Sequence, residues 1–275
     1  MKLLPSIILT LSLLASTTHA QQPKPLRVLL ITGGCCHDYP AQKDILKAGI
    51  EKRLNAEVTQ VHTDDKSTKP PLSIYGNPDY AKGFDLVIHD ECAAGINEEA
   101  TVEGVLKPHR DGIPGVNLHC AMHCYRIGGA NEPVTLGTPH GWWFEYLGLQ
   151  SSGHGPQEPI SITHLETNDA LSKNLPDWTT IKEELYNNVR VFDTAKPVLR
   201  GKQTVKAKDG TEKEVESVVA WTNLYMGKTR VFSTTIGHNN GTVADDRYLD
   251  FVSRGVLWAT NHINADGTPK DGYGK

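Results

Sequence analysis

Short apolar runs alternate with segments of helical spacing in this chain, and that alternation limits the folds open to it. Leu26–Thr32 is an almost continuous apolar run, as expected of a strand buried on both faces of a parallel sheet. Phe84–His89 and the segment that starts at Pro114 have the same character, and helical spacing is found over Gln42–Leu54. This β-α-β order predicts an α/β domain with a parallel sheet and right-handed crossovers.

The first 20 residues have the features of a secretory signal peptide. Lys2 supplies a positive charge, Leu3–Leu14 an apolar segment, and Thr18-His19-Ala20 a small-residue cleavage site. The apolar segment is too short to span a membrane, and no later run reaches that length. We therefore expect a secreted or periplasmic protein without an integral membrane segment. Residues 21–263 would form one domain, and residues 264–275 a polar, flexible tail.

Charge and cysteine content narrow the classes of function. A net charge of −4 with no basic stripe argues against nucleic acid as a partner. Five cysteines are an odd number, so at least one is unpaired within a monomer. Cys35 and Cys36 are adjacent, and a disulfide bond between neighbours is strained. The sequence leaves a homo-oligomer open.

The segment Pro114–Cys124 predicts the position of a functional site. It has the pattern of a buried strand that breaks into a helix at His119 or Cys120. In open α/β sheets, ligands bind beyond the carboxyl ends of the strands. A sharp strand-to-helix turn holds the side chain at its apex over that crevice.

All five cysteines, with other reactive side chains, follow predicted strands. Because the carboxyl ends of parallel strands meet at one edge of a sheet, we expect these side chains to lie close together. The simpler alternative is that cysteines pack there as small apolar residues. The three groups are Cys35, Cys36 and His37; Asp90, Glu91 and Cys92; and His119, Cys120 and His123, with Cys124 four residues after Cys120.

Four residues from distant segments form a candidate catalytic and metal-binding set. They are His37, His119, Glu184 and His238. Neutral imidazoles and a carboxylate suit a divalent metal such as zinc, which keeps one position open in a catalytic site. No short ligand spacing requires a metal, and without one the same residues could act as acid, base and sugar-hydroxyl binders.

Substrate-binding residues are predicted around this set. The flat faces of Trp142 and Trp143 suit sugar rings, although such aromatic residues are also common in protein cores. The full candidate group is Trp142, Trp143, Tyr186, His154, Asn239 and Glu91.

Nine short segments, in this order and spacing, resemble those of one family. They are Val28–Thr32 with His37, Gly115–His119, Gly153-His154, Glu183–Tyr186, Pro197–Leu199, Val219–Trp221, Gly227–Phe232, Ile236–His238 and Gly255–Ala259. Over about residues 26–260 the chain thus resembles the ThuA-like (trehalose utilisation) family, which is similar in fold to the class I glutamine amidotransferases. The resemblance implies a flavodoxin-like three-layer sandwich with a mostly parallel central sheet.

The resemblance also bears on the turn at His119. Amidotransferases place a nucleophilic cysteine in a Gly-Ile-Cys-x-Gly turn, and ThuA-like proteins are similar but carry histidine there, here His119. Cys120 stands one residue late, and Ala121 and Met122 replace the expected glycine. A glutaminase is therefore disfavoured. The family's Asp-Glu-Leu-Tyr motif appears as Glu183–Tyr186.

The ThuA-like family is linked to disaccharide use, alongside dehydrogenases that make 3-keto sugars. The resemblance thus implies an exported carbohydrate-processing protein acting on a disaccharide or 3-keto sugar, and it favours an enzyme: a hydrolase, lyase or isomerase. Two alternatives stay open. One is a cysteine-dependent hydrolase or amidotransferase-like enzyme that pairs Cys120 with His123 or His238. The other is a non-catalytic sugar-binding module.

Overall fold

The computed structural model describes residues 23–165, 170–207 and 209–275. The predicted signal peptide, residues 1–20, lies outside the described residues. In the part of the chain that is described, no helix is both long enough and apolar enough to cross a membrane.

The described residues form strands and helices in the alternating order that the sequence predicts. A short 3-10 helix, His119–His123, follows β4. The strands are β1 (Leu26–Gly34), β2 (Ala56–Thr63), β3 (Leu86–Cys92), β4 (Gly115–Leu118), β5 (Leu149–Gln150), β6 (His154–His164), β7 (Trp178–Tyr186), β8 (Arg190–Val191), β9 (Ala195–Lys206), β10 (Glu212–Tyr225) and β11 (Thr229–Thr234). The α-helices are α1 (Tyr39–Arg53), α2 (Glu99–Asp111), α3 (Trp142–Leu147), α4 (Asn240–Val243) and α5 (Asp246–Ala259).

One nine-stranded sheet organises the domain, in the order β2-β1-β3-β4-β11-β10-β9-β6-β7. The first five strands in this order are parallel to one another. From β11 onward the pairing is antiparallel, so β10, β9, β6 and β7 extend the sheet on one side. The predicted α/β fold with a parallel core is confirmed. The sequence indicates strands after residue 150 but not their place in this sheet.

Helices cover both faces of the sheet, which makes three layers. Side chains alternate across a strand, and β1 therefore supplies apolar groups to two separate cores. Val28 and Leu30 pack in the cluster that contains residues of α1 and α5. Leu29 and Ile31 pack in the other, with residues of α2 and α3. This double burial explains why the run has no polar face.

Residues 264–275, for which the sequence predicts a flexible tail, are hydrogen-bonded to the turn between α1 and β2. The backbone N–H of Asn55 donates to the carbonyl of Tyr273 over 2.9 Å, and its side-chain amide donates to the carbonyl of Gly272. The N–H of Lys275 donates to the carbonyl of Arg53 over 3.0 Å. The ring of Tyr273 packs on His262, with centroids 3.7 Å apart.

Gly255→Ala tests the packing of α5 on the sheet. A Cβ at Gly255 would lie 2.3 Å from a ring carbon of Phe232. We expect the free energy of unfolding to fall by about 1–3 kcal/mol, measured by urea denaturation. The control is Gly104→Ala in α2, where a Cβ would meet nothing within 4 Å. Alanine is the better helix former, so the control should be as stable as the parent or slightly more so. Equal losses in both variants would contradict this account of the packing.

Candidate functional site

His119 lies at the break between β4 and the 3-10 helix, at the carboxyl ends of the parallel strands. Its φ of 42° is in the left-handed region. Non-glycine residues rarely adopt that conformation, and those that do are frequent at functional sites. The predicted turn is therefore present with His119 at its apex, although a 3-10 helix follows it in place of the predicted α-helix.

The structure brings the four predicted residues His37, His119, Glu184 and His238 together. The ring of His37 lies 4.7 Å from the ring of His119 and 4.7 Å from that of His238. One nitrogen from each of the three imidazoles lies within 4.8 Å of the other two. The Glu184 carboxylate lies 3.5 Å from His119 Nε2 and 3.3 Å from His238 Nδ1.

A hydrogen bond orients the ring of His119, whereas one ring nitrogen of His37 has no hydrogen-bond partner among the residues that the structure describes. His119 Nδ1 lies 2.6 Å from the carbonyl oxygen of Thr235, so Nδ1 carries the proton and donates it. Nε2 then carries a lone pair, which faces the Tyr186 hydroxyl at 3.4 Å and the Glu184 carboxylate at 3.5 Å. Histidines that bind metals commonly make this bond to a carbonyl. His37 Nδ1 is buried and has no hydrogen-bond partner among the described residues, which is costly for a polar atom unless a ligand meets it.

A buried carboxylate that sequence reasoning did not select holds the loop that carries His238. Glu183 on β7 accepts three hydrogen bonds from consecutive backbone N–H groups. The donors are Gly237 at 3.3 Å, His238 at 2.9 Å and Asn239 at 3.1 Å. These bonds fix the backbone on which the His238 imidazole is mounted.

Gly237 allows this loop to approach the apex of the turn. Its φ is 134°, and a Cβ there would lie 2.8 Å from the hydroxyl of Tyr248 and 3.5 Å from the Cβ of His119. The Gln42 side-chain amide, from α1, donates to the carbonyl of His238 over 3.0 Å. The close approach of β11 to β4 at this point therefore requires glycine.

The charges in the site follow from burial and mutual contact. Burial opposes ionisation of Glu184, but the nearby imidazoles of His119 and His238 outweigh it and lower the pKa of this carboxyl. Burial, with the neighbouring His119 and His238, lowers the pKa of His37 to about 3. The hydrogen bond with Glu184 raises the pKa of His238. At neutral pH the site thus contains a carboxylate and a neutral His37, the imidazole form that binds metals.

Three of the predicted substrate-binding residues border this group. The Tyr186 hydroxyl lies 3.4 Å from His119 Nε2, and its ring is stacked on His123 with centroids 4.3 Å apart. His154 Nε2 lies 3.6 Å from the Glu184 carboxylate, and with 40% of its side chain exposed His154 faces solvent. Asn239 is adjacent to His238 and half-buried.

The other three predicted substrate-binding residues do not reach the site, and those predictions are corrected. Glu91 is fully buried, where its carboxylate accepts a hydrogen bond from the Tyr125 hydroxyl over 2.6 Å. Trp143 is 1% exposed and donates to the carbonyl of Ala121. Trp142, on the same short helix, packs its ring 5.0 Å from the guanidinium of Arg110. These side chains belong to the layer of α2 and α3.

Gln157 is a further residue that sequence reasoning missed. It lies on β6, where it is paired with Glu184 in register. Its amide donates to the Glu184 carboxylate over 3.2 Å and lies 2.9 Å from His238 Nε2. An isolated glutamine in a polar stretch gives no local signal, whereas Glu183 was visible as the neighbour of Glu184 in the Glu183–Tyr186 motif.

A groove at the opposite end of the sheet contains none of the predicted site residues. It has a volume of about 860 Å³, and its lining includes Arg27, Glu57 and His262. Ligands of open α/β sheets bind at the carboxyl ends of the strands. The convergence of reactive side chains therefore identifies the candidate site better than the size of a cavity does.

The description of the family that matches this chain is ThuA, trehalose utilisation, over residues 27–259. The chain belongs to the ThuA family. A protein described as ThuA-like from Parabacteroides merdae is 18% identical, with a TM-score of 0.61 over 90% of this chain and 97% of that chain. Another from Bacteroides uniformis is 15% identical, with a TM-score of 0.57 over 89% and 94%. No curated protein matches the chain.

Glutamine amidotransferase-like folds are also among the solved structures similar to this ThuA protein. One is a glutamine amidotransferase from Thermotoga maritima, 12% identical, with a TM-score of 0.40 over 86% of this chain and 85% of that chain. The family expected from the sequence is confirmed by the match over residues 27–259, and the expected fold class by the mostly parallel sheet and the similarity to the Parabacteroides merdae structure.

The titration of His37 tests the electrostatics of the site. Its pKa of about 3 lies below the unperturbed value of 6.5 because burial disfavours the charged ring. We expect its ring resonance in metal-free protein to stay constant from about pH 8 to about pH 5, followed by NMR with labelled histidine and assigned with His37→Gln. Between about pH 6.5 and about pH 3, His37 binds a proton in the unfolded chain but not in the folded chain. This group therefore stabilises the fold above about pH 6.5, and the contribution is lost as pH falls toward 3. A midpoint near pH 6.5 would contradict the burial assigned to His37.

Proposed function

We propose that this ThuA-family protein is an exported carbohydrate-processing enzyme that acts on a disaccharide or a 3-keto sugar. His37, His119, Glu184 and His238 form its active centre and hold a divalent metal such as zinc. One observation carries the proposal: three imidazoles and a carboxylate from four distant segments converge at the carboxyl end of the sheet. The family's description as trehalose utilisation supports the substrate class.

The donor set fits a divalent metal. Zinc accepts imidazole nitrogens and carboxylate oxygens in catalytic sites that keep a position for water or substrate. The unpaired buried Nδ1 of His37 and the carbonyl-oriented ring of His119 are features of such ligands. A bound metal would polarise a substrate carbonyl or activate water.

The chain's own residues can hold and move protons around a sugar. The ionised Glu184 carboxylate lies 3.3 Å from Nδ1 of His238 and raises the pKa of that imidazole, so His238 can hold a proton beside a ligand. His154 is the solvent-exposed member of the group and lies where it can meet a hydroxyl of a ligand that enters the cleft. The Tyr186 ring is stacked between the rings of His123 and His154 and holds both imidazoles in place.

The geometry disfavours a cysteine nucleophile. Cys120 is only 7% exposed, and its thiol donates a hydrogen bond to the sulfur of Cys92. The hydrogen bond with Cys92 and burial raise the pKa of the Cys120 thiol. His123 Nε2 lies 3.0 Å from the Ser151 hydroxyl, so its ring is engaged away from Cys120. An activated thiol needs a base and a lowered pKa.

Metal binding is testable with the full chain. We expect zinc to bind to the wild type, and His119→Ala and Glu184→Gln each to weaken the affinity at least about tenfold, because each removes a donor or its partner. Metal content after dialysis and competition with a chromophoric chelator measure this. His140→Ala, at an exposed histidine in the loop before α3 and outside the site, is the control and should bind as the wild type does. If the wild type keeps no metal, the four residues act without one.

Turnover separates the three functional hypotheses. With 3-keto disaccharides and with trehalose, we expect His119→Ala to lower kcat/KM by at least about 100-fold and Cys120→Ser to retain activity, as followed by chromatography of the products. The reverse pattern would identify a cysteine-dependent enzyme. Saturable sugar binding without turnover, unchanged in His119→Ala, would identify a binding module.

A further inference from the structure

Four cysteines from three loops meet beside the imidazoles. Cys35 and Cys36 follow β1, Cys92 ends β3, and Cys120 follows His119. Gly34 is paired with Cys92 in the parallel register, and a Cβ at Gly34 would lie 2.1 Å from the Cys92 carbonyl oxygen. Glycine at this position therefore lets the chain of Cys35 lie directly against Cys92.

The four sulfur atoms form a continuous path. Cys35 and Cys36 are joined by a disulfide bond. The Cys35 sulfur lies 3.4 Å from that of Cys92, which lies 2.7 Å from that of Cys120. Each step is a contact between sulfurs, the arrangement that thiol–disulfide exchange requires.

The path runs from the surface to the interior. Cys36 is exposed, Cys35 is half-buried, and Cys92 and Cys120 are buried. An external thiol or disulfide can therefore reach the Cys35–Cys36 end but not the Cys92–Cys120 end.

The fifth cysteine stands apart from this path. The Cys124 sulfur accepts the N–H of Ala93 over 2.9 Å and donates to the carbonyl of Glu91 over 3.1 Å. Its hydrogen-bonding capacity is used by the backbone after β3, so Cys124 serves as an internal control.

We propose that Cys35, Cys36, Cys92 and Cys120 form a thiol–disulfide exchange centre, through which one disulfide passes between the exposed Cys35–Cys36 pair and the buried Cys92–Cys120 pair. In the first step the Cys92 thiolate attacks the Cys35 sulfur, the Cys35–Cys36 bond breaks, and Cys36 leaves as a thiolate.

In the second step the Cys120 thiolate attacks the Cys92 sulfur and Cys35 leaves. The two protons lost by Cys92 and Cys120 end on Cys35 and Cys36 by way of solvent. One disulfide is broken and one is formed, so no oxidant is consumed. An external thiol or disulfide of the glutathione type enters at Cys36.

The geometry sets this order of attack. The Cys92 sulfur contacts that of Cys35 at 3.4 Å and that of Cys120 at 2.7 Å. Cys92 is therefore the first nucleophile at Cys35, and Cys120 reaches the path through the sulfur of Cys92.

The test is a disulfide map of the full chain. The protein is equilibrated with glutathione over a range of ratios of oxidised to reduced form, quenched with acid, alkylated with N-ethylmaleimide without reduction, digested and analysed by mass spectrometry. We expect Cys92 and Cys120 to lose their alkyl labels in a fraction of the molecules, with peptides that join Cys92 to Cys35 and to Cys120.

Three variants sharpen the result. Cys36→Ser removes the Cys35–Cys36 disulfide, so we expect links to Cys92 only after oxidised glutathione has formed a mixed disulfide with Cys35, with glutathione in place of Cys36 as the leaving group. Cys120→Ser should still form the Cys35–Cys92 link but not the Cys92–Cys120 link. Cys124→Ser should keep the wild-type pattern and melting temperature. If Cys92 and Cys120 stay fully alkylated in the wild type at every ratio while Cys35–Cys36 opens and closes, the proposal is wrong. That comparison decides the matter even if a variant fails to fold.

Discussion

The three hydrogen bonds that Glu183 accepts from consecutive backbone N–H groups are the interaction on which the site depends. A carboxylate excluded from water is costly unless donors satisfy it, and three peptide N–H groups do so with charge-assisted bonds. They join β7, the last strand of the antiparallel extension, to the loop that leaves β11 in the parallel core. In strand order these two strands are far apart. The extension must therefore curl back over the carboxyl ends of the core.

The hydrogen bonds of Glu183 also determine where the side chain of Glu184 points. Adjacent residues of a strand point to opposite sides. Glu183 turns to the backbone of the loop, while Glu184 turns to the imidazoles of His119 and His238. One strand thus fixes the loop and adds the carboxylate to the three imidazoles. The loop in turn presents His238 against His37, which lies between the glycines that end β1 and the start of α1.

The parallel core could be predicted because its signal is local. A run such as Leu26–Thr32 shows by its composition alone that both faces are buried, and the turn at His119 follows from the strand that precedes it. The antiparallel extension has no comparable local signal, because the alternation of polar and apolar residues in a strand does not indicate which strand it pairs with. Gln157 became a site residue only through its register with Glu184.

Glu91 shows that an error of a few residues in the predicted end of a strand changes the role assigned to a side chain. The sequence pattern ended the strand at His89, which would put Glu91 in an open loop. The strand continues to Cys92, so Glu91 is held inside the sheet. Alternation then aims its carboxylate at Tyr125 in the core rather than at the cleft.

In the turn after β4, an imidazole at His119 and a thiol at Cys120 stand next to each other in the sequence but support different chemistry. An imidazole at its apex can bind a metal or carry a proton, whereas an amidotransferase-like turn offers a thiol that forms a covalent intermediate. Because the backbone reverses so sharply at His119, the next side chain points away from the cleft, and the Cys120 thiol meets Cys92 beneath the apex. The unusual φ of His119 is compensated by its bond to the Thr235 carbonyl and by the space that Gly237 leaves. The same strained turn therefore directs the imidazole toward His37 and Glu184 and the thiol toward Cys92.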